Sequence, residues 1–297
     1  MKKTPLLPLV GTGLSGLVGS KFVSMFAKTY ACTNLDLTVG VDITNESQVM
    51  KAIEKSPADV VIHFAAFTDA TAAWQQTGDK NGLCYKVNVD GTRNIAKAAR
   101  AFGKHCIHLS TAFVFDGEKN TMYTEDDATN PVEWYGTTKA MAEDIVQNTC
   151  SSWTIFRIDQ PFRSDVFAKK PDTAHRLITS LTQGTLYPQF VDHWFSPTIL
   201  EDFSRVLDWA VQDKPQGIFH ATSGVKVSDF EYATMIKEAL HLAGEVKQGK
   251  LAEYLRTLNR PYQRNTAMSS EKLKSETNIA FTPLHQALEQ LKIVSSK

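Results

Sequence analysis

The residues best suited to chemistry are a tyrosine and a lysine four positions apart, Tyr135 and Lys139. On a helix this spacing puts the phenol and the ammonium on one face, one turn apart. A free tyrosine has a pKa of about 10, and a cation within a few ångströms favours its phenolate. Such a pair can donate a proton to a carbonyl oxygen or accept one from an alcohol. An ordinary exposed tyrosine beside a solvated lysine would show the same spacing.

Two hydroxyl residues, Ser110 and Thr111, end a run that begins at His105 and predicts a buried strand. In parallel sheets, ligands bind beyond the carboxyl ends of the strands. A hydroxyl at this point could therefore hold the same substrate oxygen as Tyr135. Serine and threonine also form turns and helix caps at strand ends, so this alternative stays open.

A glycine-rich turn near the start of the chain predicts a cofactor site. An apolar run leads into Gly11, Gly13 and Gly16, and a helical pattern follows them. This arrangement fits the dinucleotide fingerprint, whose glycines allow a tight turn, a close approach of a pyrophosphate and close packing of the helix. The N-terminus of that helix would then face the phosphates. A glycine-rich surface loop between any strand and helix gives a similar pattern.

An acidic residue about 20 positions after the glycine turn strengthens the dinucleotide interpretation. Asp36 lies at the end of the second predicted strand, 31–37, where a carboxylate would bind the 2′-hydroxyl of an adenine ribose. The same carboxylate would repel the 2′-phosphate of NADP, and neither Lys nor Arg lies between Asp36 and Lys51 to neutralise it. The sequence therefore favours NAD over NADP.

Predicted strands and helices alternate through the first half of the chain. Buried strands are predicted near the start and at 31–37, 60–66, 105–111 and 153–158, and helices at 17–26, 82–102 and 135–147. This alternation indicates an α/β fold with a Rossmann-type, doubly wound parallel sheet. We predict an NAD-binding Rossmann domain at 1–162, rejoined by a strand near 217–222, and a smaller C-terminal substrate-binding lobe over most of 163–297.

The composition argues against several classes of function. The 297 residues are 42% hydrophobic, and 32 basic residues balance 32 acidic ones, so no net charge attracts nucleic acid or an anionic membrane. No run of about 18 apolar residues predicts a membrane span. The four cysteines and the histidines lack metal-binding spacing, so we predict no metal site. Reduced thiols are typical of a cytoplasmic protein.

The chain resembles the extended short-chain dehydrogenases/reductases, the NAD-dependent epimerase/dehydratase superfamily, and most closely their dTDP-4-dehydrorhamnose reductase-like branch. The resemblance covers nearly the whole chain. Besides the glycine turn, it rests on 59–68 (DVVIHFAAFT), 87–92 (VNVDGT), 109–117 (LSTAFVFDG), 123–127 (YTEDD), 135–139 (YGTTK) and 196–198 (SPT). It implies an NAD(P)-dependent oxidoreductase that reduces a keto group of a nucleotide-linked sugar.

The resemblance also implies a role for each residue that matches a family motif. Thr111, Tyr135 and Lys139 would form the catalytic triad, with Tyr135 as the proton donor and Lys139 on the nicotinamide ribose. The cofactor site would comprise Gly11, Gly13, Leu14, Ser15, Gly16, Asp36, Asp42, Ile43, Ala65 and Ala66, together with Tyr135 and Lys139. In that site Gly13 and Gly16 would approach the pyrophosphate, Asp36 the adenine ribose, and the Asp42-Ile43 pair the adenine edge.

The chain departs from the family pattern where contacts to the sugar are expected. The branch has an acid and a tyrosine directly after the catalytic threonine, whereas this chain has Ala112 and Phe113. Gln160 stands in a segment that usually carries an aromatic residue and a glycine. Three functions therefore stay open: a reductase, an epimerase or dehydratase that retains its cofactor, and a non-catalytic NAD(P)-binding subunit resembling the β-subunit of methionine adenosyltransferase. The resemblance also allows a homodimer.

Overall fold

The computed structural model of the protein describes residues 5–293. Within that range the strands are β1 (Leu7–Thr12), β2 (Tyr30–Asn34), β3 (Val60–His63), β4 (His105–Thr111), β5 (Trp153–Ile158), β6 (Gln189–Phe190), β7 (Trp194–Phe195), β8 (Gly217–His220), β9 (Val227–Ser228) and β10 (Gln248–Gly249). The helices are α1 (Leu17–Met25), α2 (Glu46–Glu54), α3 (Ala70–Trp74), α4 (Leu83–Tyr85), α5 (Thr92–Ala101), α6 (Trp134–Thr149), α7 (Thr173–Gln183), α8 (Leu200–Asp213), α9 (Asp229–Ala239), α10 (Leu251–Leu255), α11 (Glu271–Glu276) and α12 (Leu284–Glu289). A π-helical turn (Lys86–Gly91) joins α4 to α5, and 3-10 turns form at Leu37–Val39 and Ala112–Val114.

Six parallel strands form the central sheet, in the order β2-β1-β3-β4-β5-β8. The chain leaves β1 for β2 on one side and returns to β3 on the other, so the strand order reverses between β1 and β3. In doubly wound sheets, ligands bind at such a switch point, outside the carboxyl ends of the strands. The predicted Rossmann-type fold is confirmed, and the strand predicted near 217–222 is β8 at the edge of the sheet.

The register of the central strands brings three polar residues into one row. Thr12 of β1 pairs with His63 of β3, and His63 pairs with His108 of β4. All four residues of β3 are buried, as expected for a strand covered by helices on both faces of the sheet. Polar side chains inside such a sheet need hydrogen-bond partners from neighbouring elements.

The described chain divides into two units by its internal contacts, and the first unit contains the central sheet except for the last residue of β5 and of β8. It comprises the residues up to 114 together with 133–157 and 207–219. Its core includes Val10 of β1 and Ile95 of α5, both fully buried. All the predicted catalytic and cofactor-binding residues belong to this unit.

The second unit has a core of its own. It comprises 115–132, 158–206 and the residues from 220 onward. Phe162, Ile178 and Tyr232 lie in its core. We predicted a boundary at residue 162 between a cofactor-binding domain and a substrate-binding lobe. The division by contacts does not test which residues bind cofactor or substrate, so this boundary stays a prediction.

Two predicted strands end earlier than expected, and one predicted helix is not continuous. The strand predicted over 31–37 ends at Asn34, because the Asp36 carboxylate accepts from the Thr38 amide and starts a 3-10 turn. The strand predicted over 60–66 ends at His63, and the following residues form a loop. The helix predicted over 82–102 is interrupted by the π-helical turn.

None of the helices within residues 5–293 combines the length and the apolar composition needed to cross a bilayer. In the same range, no three side chains of His, Cys, Asp or Glu are grouped so that they could hold a metal ion.

Candidate active site

The glycine turn joins β1 to α1 at the switch point of the sheet. Gly13 has a φ of +66°, and a Cβ on it would lie 2.6 Å from the Ala65 amide nitrogen. Both the backbone conformation and the loop after β3 therefore exclude a side chain at this position. The Ala65 amide in turn donates to the Thr12 hydroxyl (3.1 Å). The glycine turn and the loop that contains Ala65 and Ala66 thus form one continuous backbone surface.

Two further glycines pack the turn against its neighbours. A Cβ on Gly11 would lie 2.9 Å from the Ile62 carbonyl oxygen of β3, and one on Gly19 would lie 2.5 Å from Cα of Leu14. Gly19 is thus the glycine that allows α1 to pack closely, a role that we did not predict for it. Gly16, at the start of α1, is exposed, and among the described residues no side chain caps that helix. An uncapped helix N-terminus next to a glycine suits a phosphate group.

Asp36 is partly exposed and lies beside the glycine turn. One carboxylate oxygen accepts from the Ser15 hydroxyl (2.7 Å) and the Asn34 amide group, and the other from the amide (2.9 Å) and the hydroxyl of Thr38. A carboxylate has about four acceptor positions, so protein groups occupy all of them. Partial burial would raise the pKa of Asp36, but the hydrogen bonds from Thr38, Ser15 and Asn34 outweigh it and lower that pKa. Asp36 is therefore negatively charged at neutral pH.

Asp42 and Ile43 follow the first 3-10 turn and differ in exposure. The Asp42 carboxylate accepts from the amide (2.9 Å) and the hydroxyl (2.8 Å) of Thr44 and stays partly exposed. Ile43 is buried against Gly91, and its carbonyl oxygen accepts from the Asn94 side chain (2.9 Å). The Ile43 side chain thus belongs to the core, so an adenine contact here would fall to the Asp42 side chain and the Ile43 backbone.

Tyr135 lies in the first turn of α6. A buried carboxylate, that of Glu133, caps this helix by accepting from the amides of Tyr135 (3.1 Å) and Gly136 (2.6 Å). Negative charge at a helix N-terminus is favoured by the helix dipole. The Tyr135 ring also packs edge-on against Phe113, with the ring centroids 5.7 Å apart. Glu133 and Phe113 therefore set the position of the phenol, a role that we did not predict for either residue.

Lys139 lies one turn further along α6 and is 3% exposed. Its Nζ donates to the Leu109 carbonyl oxygen on β4 (2.6 Å) and lies 3.3 Å from Nε2 of His108. Burial lowers the pKa of Lys139 to about 8, although the negative charge of Glu143 acts in the opposite direction. Lys139 is therefore charged at pH 7 but loses its proton more readily than a surface lysine.

Thr111 ends β4 between the two contacts made by α6. Lys139 binds the backbone two residues before it, and Tyr135 packs on the side chain two residues after it. Thr111 is mostly buried, and its hydroxyl oxygen accepts from the Phe113 amide (3.3 Å). The structure thus brings the three predicted catalytic residues together, on the end of β4 and the start of α6.

Ser110 takes part in a buried ion pair instead. Its hydroxyl donates to the carboxylate of Glu143 on α6. Arg157 of β5 binds the same carboxylate twice, from Nε at 3.0 Å and from a terminal guanidinium nitrogen at 2.7 Å. Both charged side chains are at most 3% exposed. Of the two hydroxyls considered from the sequence, that of Thr111 therefore remains for a substrate oxygen.

A buried asparagine in the π-helical turn connects this turn to the loop after β3. The Asn88 side chain accepts from the Phe67 amide (2.8 Å) and donates to the Phe67 carbonyl oxygen (3.1 Å). It also donates to the Thr138 hydroxyl on α6 (3.0 Å). Asn88 thus holds the loop and α6 together, and π-helical turns often occur at functional sites. In the sequence it stood out only as part of a family motif.

The positions that depart from the family pattern have different surroundings. Ala112 is fully buried, whereas Phe113 is partly exposed and lies against Tyr135. Gln160 belongs to the second unit, has a φ of +37° and accepts from the Thr173 hydroxyl (2.7 Å). A non-glycine residue at positive φ is uncommon and strained. At position 113, where the family has a tyrosine, the Phe113 ring offers the Tyr135 phenol an apolar surface and no hydroxyl group.

The residues at the carboxyl ends of β1 to β4 fit a dinucleotide. The backbone at Gly13 and the uncapped end of α1 suit a pyrophosphate. The charged Asp36 lies just beyond β2, and the Tyr135–Lys139 pair lies beside β4. Three strand spacings, about 14 Å, separate these two ends of the row. An adenosine end near β2 and a nicotinamide end near β4 follow from this order.

A family model described as the RmlD substrate binding domain matches residues 8–294. The dTDP-4-dehydrorhamnose reductase of Mycolicibacterium smegmatis is 31% identical over 238 residues, which cover 78% of this chain and 69% of that protein. The dTDP-4-keto-6-deoxy-D-glucose reductase of Streptomyces niveus is 27% identical over 230 residues, which cover 75% of each chain.

Solved structures share the fold over nearly the whole chain. The dTDP-4-dehydrorhamnose reductase of Bacillus anthracis, in complex with NADP, has a TM-score of 0.87 and 21% identity, covering 97% of this chain and 99% of that chain. The enzyme WbmH of Bordetella bronchiseptica, in complex with NAD⁺, has a TM-score of 0.77 and 18% identity, covering 97% of each chain.

Proposed function

The chain belongs to the RmlD substrate binding domain family, and on that premise we propose that it reduces the keto group of a dTDP-linked 4-keto-6-deoxy sugar with a nicotinamide cofactor. Family membership confirms the resemblance that the sequence motifs indicated. Two relatives bear the names of reductases of such sugars. Tyr135 packs on Phe113 and Lys139 binds the Leu109 carbonyl oxygen, two residues after and two residues before Thr111. These two contacts are the observation that carries the proposal.

Each catalytic residue has a distinct task in this reaction. When bound, the reduced nicotinamide supplies the hydride that the carbonyl carbon accepts. Tyr135 gives its phenol proton to the carbonyl oxygen as negative charge develops there, and afterwards recovers a proton from solvent. Thr111 donates a hydrogen bond to the same oxygen. The Lys139 ammonium stabilises the phenolate that Tyr135 leaves behind.

NADH is the preferred cofactor in this proposal. Asp36 is ionised, and its charge would repel the 2′-phosphate of NADPH. Since its acceptor positions are already occupied by Ser15, Asn34 and Thr38, a ribose hydroxyl must replace one of these partners. The preference therefore rests on repulsion of NADPH more than on an added hydrogen bond to NADH.

Titration with both cofactors tests this preference. We expect NADH to bind more tightly than NADPH, and Asp36→Asn, which keeps an acceptor but removes the charge, to narrow the difference. Asp90→Asn is a suitable control, because Asp90 forms a partly exposed ion pair with Arg93. A tenfold preference for NADPH, about 1.4 kcal/mol in the opposite direction, would contradict the role of Asp36.

The activity is tested with dTDP-4-dehydrorhamnose and NADH. We expect one NADH to be oxidised for each sugar reduced, whereas an epimerase or a binding subunit would consume none. Tyr135→Phe removes only the proton donor, so turnover should fall by roughly 10²- to 10⁴-fold while NADH binding stays near normal. Tyr85→Phe is the matched control, because Tyr85 packs on the neighbouring Trp134. Normal turnover in Tyr135→Phe would contradict the mechanism.

The compartment and the oligomeric state complete the proposal. All four cysteines, Cys32, Cys84, Cys106 and Cys150, are free thiols, which suit a reducing compartment such as the cytoplasm. A homodimer stays a prediction that sedimentation or light scattering can test.

A further inference from the structure

Two buried histidines lie side by side on β3 and β4, and the first of them has a fixed tautomer. His63 and His108 are each 1% exposed, with ring centroids 5.3 Å apart. The Thr92 hydroxyl donates to the Asn88 carbonyl oxygen (2.6 Å), so it must accept from Nε2 of His63 (3.0 Å). His63 thus carries its proton on Nε2, and its Nδ1 accepts from the Thr12 hydroxyl (2.7 Å).

The second histidine, His108, lacks such a set of partners. Its Nε2 lies 3.3 Å from Nζ of Lys139, and its Nδ1 has no hydrogen-bond partner among residues 5–293. An ammonium group only donates, so beside a charged Lys139 the Nε2 atom must accept and the ring proton must lie on Nδ1. This tautomer leaves a buried donor without a partner in the described chain, which native structures generally avoid. The ammonium of Lys139 accounts for it.

We propose that His108 is a positioning residue: its Nε2 holds the Lys139 ammonium and thereby fixes the charge that acts on Tyr135. The Leu109 carbonyl oxygen and His108 take two of the three N–H groups of Lys139, which leaves the third to meet a cofactor hydroxyl. The catalytic consequence rests on the proposed function, whereas the contact itself is independent of any substrate.

Other ionisable groups surround the same ammonium. They are Glu143 of α6, Cys84 of α4, His63 of β3 and, through Glu143, Arg157 of β5. Tyr135 lies one turn earlier on α6. The negative charge of Glu143 acts to raise the pKa of Lys139, whereas burial raises the pKa of the Cys84 thiol, which is therefore neutral at pH 7. All of these side chains are kept when His108 is replaced. A change in the pKa of Lys139 in such a variant therefore reports the loss of the contact with His108.

Nitrogen NMR of the protein labelled with ¹⁵N-histidine tests the contact without substrate or cofactor. At pH 7 we expect the Nδ1–H tautomer at His108 and the Nε2–H tautomer at His63. Above pH 9, where Lys139 becomes a neutral amine that can accept, His108 should change to Nε2–H, while His63 should not change. In Lys139→Met this pH dependence should vanish. An Nε2–H tautomer at His108 at pH 7, or no change with pH, would overturn the proposal.

The pH profile of turnover tests the catalytic consequence, with dTDP-4-dehydrorhamnose and NADH. His108→Phe keeps a buried ring but removes the acceptor, so the charged form of Lys139 becomes less favourable and its pKa falls. The alkaline limb of the profile, where turnover falls as Lys139 loses its proton, should therefore move down by about one pH unit. That shift is a tenfold change in the ratio of charged to neutral Lys139. His108→Gln, which offers an oxygen acceptor, should restore the limb.

The matched control is His105→Phe, because His105 lies on the same strand, is 2% exposed and binds Ser152 and Thr154 instead. The control should leave the alkaline limb unchanged. An unmoved limb in folded His108→Phe, or an equal shift in the control, would overturn the positioning role. If His108→Phe does not fold, the wild-type NMR result decides. If the protein does not reduce this sugar, the proposed function fails, and the NMR result still decides the contact.

Discussion

The buried pair of Glu143 and Arg157 predicts a large loss of stability when one partner is removed. Arg157→Met deletes the guanidinium and fills much of the same space. It leaves the Glu143 carboxylate, on a side chain that is 2% exposed, with the Ser110 hydroxyl as a remaining partner. Breaking a buried ion pair in this way costs about 3–5 kcal/mol. The exposed pair of Lys97 and Glu46 is the natural comparison, because such pairs contribute roughly 0–1 kcal/mol.

A double variant separates the charge from its surroundings. Glu143→Leu combined with Arg157→Met removes the uncompensated charge, and apolar pairs of similar volume are often as stable as the ion pair they replace. We therefore expect the double variant to be more stable than Arg157→Met alone by roughly 2 kcal/mol or more. Part of its remaining loss comes from Ser110, whose hydroxyl loses its acceptor at a cost of about 1–3 kcal/mol.

Urea unfolding measures these differences, provided that the slope with denaturant is the same for all variants. Lys97→Met should stay within about 1 kcal/mol of the wild type. A second readout is the pKa of Lys139, which Glu143 already raises and which should rise further once Arg157 no longer neutralises Glu143. A loss below about 1 kcal/mol in Arg157→Met would show that the unpaired Glu143 charge costs little, and so would a double variant as unstable as the sum of the two single variants.

Three further predictions concern the site itself. Lys139→Met should abolish turnover but stabilise the protein at pH 7 by roughly 1–3 kcal/mol. Folding lowers the pKa of Lys139 from 10.5 to about 8, so between these pH values the unfolded state binds more protons and wild-type stability rises with pH. Thermal melts at pH 10 should therefore show a smaller difference in stability between Lys139→Met and the wild type than melts at pH 7. Gly19→Ala would bring Cβ against backbone atoms of Leu14, so fluorescence titration should show NADH binding at least tenfold weaker, whereas Gly103→Asn, in open space with a φ of +61°, should change little. Glu133→Ala removes the cap of α6 and should cost about 1–2 kcal/mol in urea unfolding and lower turnover, and Glu133→Asn should restore most of the stability.

The features that sequence analysis predicted are those encoded by residues close together in the chain. The apolar run of β3, the glycine turn and the helical spacing of Tyr135 and Lys139 are local patterns, and the fold and the family that they indicated are confirmed. The edge strand β8 was also predictable, since its apolar residues stand between a helix and a turn. The catalytic roles of Thr111, Tyr135 and Lys139 stay predictions that their shared location supports.

The features that it did not predict depend on contacts between distant residues. His108 was given no role from the sequence, because nothing there connects it to Lys139, 31 residues away. Ser110 and Thr111 looked equivalent until the contact with Glu143 separated them. Asp36 was read as a carboxylate available to a ribose, whereas Ser15, 21 residues before it, already binds it. Long-range side-chain pairing leaves no periodic signal in a single sequence.

The π-helical turn makes the segment between β3 and β4 sensitive to the deletion of a single residue. It contains one residue more than a regular helix needs, and Asn88 within it holds both backbone groups of Phe67. Deleting one residue there would let α4 and α5 join as a continuous α-helix, but would rotate one end by about 100° relative to the other. Either Asn88 would leave Phe67, or Asn94 would leave the Ile43 carbonyl. Exposed residues of this segment can therefore change in type, but a deletion of one residue separates two contacts that the active site needs together.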